Sequence, residues 1–122
     1  MLTPTYFLVK AIICTIGGLS ANELLPHLDY ELIRANPKIF CGYSDITLLH
    51  HAFFTQAGLQ TFYGPAAMTQ LGELPKPLDF TMSHFQKVLQ IAKPVGALPR
   101  SPEWTEEFCE WETKDAARPR EL

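Results

Sequence analysis

Apolar and polar positions alternate along the first half of the chain in two recognisable periods. Residues 10–15 (KAIICT) form a nearly continuous apolar run closed by Gly17-Gly18. Such a run predicts a strand buried on both faces and ending in a tight turn. Residues 20–28 follow as a short helix, with Ser20 or Asn22 as its cap and Pro26 bending or ending it. A further helical turn or two spans residues 29–35, capped by Asp29 and broken by Asn36-Pro37. Residues 38–42 (KIFCG) are a second buried strand. Ser44-Asp45 then opens a helix with apolar positions at Ile46, Leu49, Phe53 and Phe54, and Gly58 stops it. Residues 60–63 make a third strand, ended by Gly64-Pro65.

Strand, helix, strand, helix, strand with short connections predicts βαβ units. The fold class is therefore α/β, a parallel sheet with flanking helices. Residues 79–92 read as one more helix, with Phe80, Val88 and Leu89 as buried candidates. From Lys93 the chain changes character: Pro94, Pro99, Pro102 and Pro119 punctuate a stretch rich in Glu, Lys and Arg. Trp104, Phe108 and Trp111 fit a short amphipathic helix within it. Three strands are few for a parallel sheet, whose strands need neighbours and cover on both faces. Both ends read as cuts through a larger protein. The expected organisation is an atypical segment over 1–9, a partial α/β domain over 10–92, and a charged, proline-broken tail over 93–122 leading toward a further domain.

Composition narrows the function classes. With 122 residues, 47% hydrophobic and 19% charged, the chain is globular in type. Its formal charge of −3, with acids and bases mixed, gives no basic face for nucleic acid. No apolar run is long enough to span a bilayer, and residues 1–9 lack the features of a signal peptide. Cys14, Cys41 and Cys109 have neither metal-ligand spacing nor a CxxC arrangement, and an odd count points to reduced thiols in the cytoplasm.

The strongest chemical signal is Phe40-Cys41-Gly42-Tyr43-Ser44-Asp45-Ile46-Thr47. An apolar strand runs through Gly-x-Ser straight into a helix, the context of a nucleophile elbow. The sharp turn would lift the Ser44 hydroxyl above the sheet. The helix N-terminus would aim unpaired N–H groups, the Asp45 amide among them, at a developing oxyanion. The later glycine of G-x-S-x-G is absent, and a serine before an aspartate is also a common N-cap. Gly17-Gly18 lies at another strand end. There its amides can approach a substrate or an oxyanion, or its glycines can merely serve a turn. Gly64 falls at the same edge.

Residues 10–66, KAIICTIGGLSANELLPHLDYELIRANPKIFCGYSDITLLHHAFFTQAGLQTFYGPA, resemble the core of the LD-carboxypeptidase family of serine peptidases. They are especially similar to the branch containing the microcin C immunity peptidases. TIGG, NPK before the strand, GYSD and TFYGP carry the likeness, and residues 104–118 resemble that branch's tail. The resemblance implies an incomplete N-terminal domain of a cytoplasmic two-domain hydrolase, with homodimers among full-length members. Ser44 is then the nucleophile, the Asp45 amide one oxyanion donor, and Gly18 the second donor, with Gly17 its alternative. The resemblance implies as substrates murein peptides cut at a free carboxyl end, or peptide- and aminoacyl-nucleotide conjugates, with no metal or organic cofactor.

The family's Glu and His belong to a second domain that these 122 residues do not contain. His27, His50, His51 and His84 match no family role, and a serine without a base is a poor nucleophile. The chain alone is therefore expected to be inactive. The rival reading is a small non-catalytic α/β domain that binds a carboxylate or phosphate at the same edge. If the chain is part of a larger enzyme, Tyr6, Phe7, Leu8, Trp104 and Trp111 are candidates for an exposed apolar surface.

Overall fold

A computed structural model describes residues 8–110, 112 and 118–122. The chain forms two compact units, Met1–Ala67 and Met68–Leu122. In the first, β1 (Ala11–Ile13), β2 (Ile39–Gly42) and β3 (Phe62–Tyr63) form one sheet in the order β1-β2-β3. Both pairings are parallel. Ile12 stands opposite Phe40, and Gly42 stands opposite Tyr63. The parallel core expected from the apolar runs is present, with shorter strands than the runs themselves.

Burial within the sheet is uneven. β2 is central, and Phe40, Cys41 and Gly42 are all buried. β1 was expected to be buried on both faces, but Ala11 and Ile12 are exposed. Among the described residues only β2 pairs with β1, so β1 is an edge strand in this chain.

A 3-10 helix (Ala21–His27) and α1 (Tyr30–Ala35) connect β1 to β2. Asp29 caps α1 as expected, its Oδ1 accepting from the Leu32 amide at 2.9 Å. Neither Ser20 nor Asn22 caps the 3-10 helix: it carries no side-chain cap at Ser20, and its first N–H is taken by a residue far along the chain. Between β2 and β3 the path tightens and then loosens. Residues Ser44–Ile46 form a 3-10 turn, α2 spans Thr47–Ala52, and Phe53–Ala57 is a π-helical turn. Gly58 ends it in the left-handed region at φ 67°.

The core packs Ala21, Phe40, Leu49 and Phe53, with Cys14, Leu25, Ile33 and Ile46 against them. Phe40 meets Phe53 edge-on at 4.9 Å between ring centres, a favoured aromatic geometry. The π turn adds a residue per turn and so shifts the helical phase. Ala57 is buried on the same side as Phe53, while Phe54, expected among the core positions, is exposed.

The second unit contains α3 (Asp79–Gln90), which has no fully buried residue. Phe80, Val88 and Leu89 are only half-buried there. The short helix expected around Trp104 and Phe108 is absent: the described residues from Lys93 to Glu110 have no regular helix, and both rings are about 70% exposed. Leu8 is also exposed, as expected, while Tyr6, Phe7 and Trp111 lie outside the described residues. No helix among the described residues is long and apolar enough to cross a membrane.

Candidate active site

Parallel strands deliver their carboxyl ends to one rim, and the first unit builds its polar site there. Gly42 ends β2, Tyr43 is extended, and Ser44 turns the chain into the 3-10 helix. Among the described residues Ser44 alone combines a side chain with positive φ, at 62°. A β-carbon in that region crowds the backbone, so the turn is strained in the way a nucleophile elbow requires. The side chain is exposed, and the Ser44 amide donates to the Tyr63 hydroxyl at 3.4 Å.

The Gly-Gly loop after β1 presses directly on this serine. A β-carbon on Gly17 would stand 2.8 Å from Ser44 Cβ and 3.1 Å from its Oγ, closer than real side chains approach. Glycine is thus needed at 17 to admit the serine. Gly18 lies beside the next residue: a β-carbon there would be 3.5 Å from Asp45 Oδ2. Gly64 completes the rim, its N–H donating to the Gly42 carbonyl at 3.0 Å. The structure therefore gathers Gly17, Gly18, Ser44, Asp45 and Gly64, all five site residues singled out in the sequence. It puts Gly17 rather than Gly18 against the serine side chain.

Below the rim, His50 is committed to the scaffold. Its Nε2 lies 3.0 Å from the Gly42 carbonyl and its Nδ1 lies 2.8 Å from Thr61 Oγ1. A carbonyl only accepts, so Nε2 carries a proton, and in the neutral ring Nδ1 accepts from the threonine hydroxyl. The ring also packs edge-on against Phe40 at 5.5 Å. No described histidine hydrogen-bonds the Ser44 hydroxyl. His84, in the second unit, bonds back to the Phe80 carbonyl. His50 and Tyr63 were both missed as site supports. TFYGP had marked Tyr63 only as strand and turn, and nothing in the local pattern distinguished a helix-face His50 from a buttress.

Two thiols line the underside of the elbow. A β-carbon on Gly42 would meet Cys14 Sγ at 2.9 Å, and one on Gly64 would meet Cys41 Sγ at 2.9 Å. Burial pushes the Cys41 thiol up to about 11, with neighbouring Cys14 adding to the rise, and burial raises Cys14 as well. Neither is an activated nucleophile, since that role needs a lowered thiol pKa. All three cysteines are unpaired with one another. No group of three or more His, Cys, Asp or Glu among the described residues is arranged to hold a metal.

Residues 7–64 match the LD-carboxypeptidase N-terminal domain. The chain belongs to the LD-carboxypeptidase family. It is 41% identical over 91% of its length to a putative carboxypeptidase of Vibrio cholerae, of which it covers 33%. It is 42% identical over 93% of its length to the microcin C7 self-immunity protein MccF of Escherichia coli, again covering 33% of that protein. MccF in complex with aspartyl sulfamoyl adenosine superposes with a TM-score of 0.77 at 40% identity, over 93% of this chain and 34% of that one. The chain thus spans about a third of the length of these relatives. In the LD-carboxypeptidase frame, the three-stranded sheet is an incomplete N-terminal domain.

Proposed function

We propose that this chain contributes the nucleophile and oxyanion site of a serine carboxypeptidase. The observation that carries the reading is the strained Ser44, held at a strand end with Gly17 against its side chain. Ser44 Oγ attacks the carbonyl of the bond nearest a free carboxyl end. The Asp45 amide, at the start of the helix, and an amide of the Gly17-Gly18 loop receive the negative charge on the tetrahedral intermediate. Backbone donors of this kind are worth roughly 10²–10³ in rate each. Gly64 leaves room for the Cys41 thiol beneath the elbow, where a β-carbon would stand 2.9 Å from the Sγ.

The base is the part this chain does not supply. Both ring nitrogens of His50 are occupied in the scaffold, and Ser44 Oγ has no histidine partner among the described residues. The reading therefore assigns Glu and His to the remainder of a longer LD-carboxypeptidase, and leaves the isolated chain inactive. Its substrate class is a peptide or aminoacyl-nucleotide conjugate, favoured by the likeness to MccF bound to aspartyl sulfamoyl adenosine, with murein tetrapeptides as the family alternative. The enzyme works in the cytoplasm, where unpaired thiols persist.

Mass spectrometry of products from both substrate types tests this. The whole protein carrying this chain should cleave at least one, and its Ser44→Ala variant should bind without cutting. The 122-residue chain alone should release no product. Turnover by the isolated chain that disappears in Ser44→Ala would refute the external base and turn the search to His27, His50, His51 or His84. Binding without cleavage by the whole protein would instead establish the non-catalytic reading.

A further inference from the structure

The side chain of Asp45 has a role distinct from that of its amide. Its Oδ2 accepts the Ala21 N–H at 2.8 Å, across 24 positions of sequence. Ala21 opens the 3-10 helix and is buried in the core. Ser20, at the cap position, provides no side-chain hydrogen bond, so the carboxylate of a distant residue takes the cap's place. A charged acceptor at a helix start is the stronger form of such a cap. The loop between Cys14 and Ala21 is thereby tied at both ends to the β2–elbow segment. At one end the Cys14 N–H donates to the Cys41 carbonyl at 2.9 Å, and at the other Asp45 holds Ala21. Gly17 and Gly18 lie between these anchors, one against Ser44 and the other against Asp45 Oδ2.

We propose that the Asp45 carboxylate is a positioning residue, which fixes the Gly17-Gly18 loop against Ser44 and so sets where the second oxyanion donor stands. This rests on the serine-carboxypeptidase reading. Asp45 then serves the oxyanion site twice: its amide is one donor, and its side chain locates the other by way of Ala21. The nucleophile and its oxyanion loop move as one piece because adjacent residues, 44 and 45, grip it. Without the carboxylate, the Ala21 end of the loop keeps its apolar packing but loses its polar tie, and a misplacement of about 1 Å at a reacting centre costs roughly 10²-fold in rate.

Two measurements test the assignment with Asp45→Ala and Asp45→Asn, the latter keeping an oxygen acceptor. Amide hydrogen exchange on the chain comes first. Asp45→Ala should speed exchange at Ala21 by roughly ten-fold or more, the loss expected for a hydrogen bond to a charged group. Phe40 and Leu49 should keep wild-type protection, which separates a freed loop from a misfolded chain, and Asp45→Asn should restore most of the protection at Ala21. Unchanged protection at Ala21 in Asp45→Ala overturns the proposal. The second measurement is turnover by the whole protein that carries the chain. There Asp45→Ala should lower kcat about 10- to 100-fold with KM nearly constant, and Asp45→Asn should recover most of it. A freed Ala21 with unaltered kcat overturns the positioning role and leaves Ser44 as the nucleophile. A wild-type protein that cleaves neither substrate refutes the peptidase reading itself, and the exchange data still decide whether Asp45 holds the loop.

Discussion

Replacing Ser44 by alanine and by glycine separates backbone strain from chemistry. Both variants lack the hydroxyl, and they differ only in the β-carbon. At an ordinary position glycine is the less stable of the two by roughly 0.5–1 kcal/mol, because it loses more backbone freedom on folding. Ser44 has φ 62°. A left-handed conformation costs an L-residue roughly 1–2 kcal/mol and glycine nothing comparable. The glycine variant therefore gains about 1–2 kcal/mol from relieved strain and loses about 0.5–1 kcal/mol through the unfolded state. It should come out more stable than the alanine variant by about 0.5–1 kcal/mol. Ser44 is exposed, so little burial is lost with its β-carbon. For a unit of this size the difference corresponds to roughly 2–8 °C in melting temperature. Urea unfolding of both variants, followed by far-ultraviolet circular dichroism, measures it, with equal m-values showing that the same structure unfolds. The sign is decisive: Ser44→Ala equal to or more stable than Ser44→Gly would mean that the elbow carries no strain.

Gly42→Ala tests the floor of the elbow. The new methyl would meet Cys14 Cβ and Sγ at 2.9 Å and Ile46 Cγ2 at 3.0 Å, on a buried strand. Overpacking there should cost about 1–3 kcal/mol in denaturant unfolding, and an unchanged midpoint would contradict the packing. The thiols give a pH prediction. Cys41 is pushed up to about 11 by burial and by Cys14. The unfolded chain therefore releases this proton at lower pH than the folded one, and stability should fall as pH rises from the ordinary thiol range toward 11. Cys41→Ala should flatten that alkaline limb of a stability–pH curve, and Cys41 should resist thiol reagents at neutral pH in the native chain but not in urea. Rapid native-state labelling of Cys41 would refute it.

The parallel core was legible in the sequence because each strand is a short apolar run closed by a small-residue turn. KIFCG at β2 shows this best: a run buried on both faces has no alternative in water. The elbow was legible for the same reason, since Gly-x-Ser between an apolar run and a helical period places a serine at a strand end. Local signals also located the Asp29 cap and the Gly58 stop, where one residue's own chemistry decides the conformation. Other features depended on residues distant in sequence, and these only the tertiary structure decided. The cap of the 3-10 helix comes from Asp45 rather than from Ser20 or Asn22, because a charged acceptor was brought to it across the sheet rim. Phe54 lies in solvent although its neighbour Phe53 is buried, a choice that packing against β2 made and the apolar pattern alone left open. His50 became a buttress because Gly42 and Thr61, on two different segments, converge on its ring. Gly17 rather than Gly18 meets the serine because two chain segments approach too closely there for a β-carbon, and that separation exists only once β1 and β2 are paired.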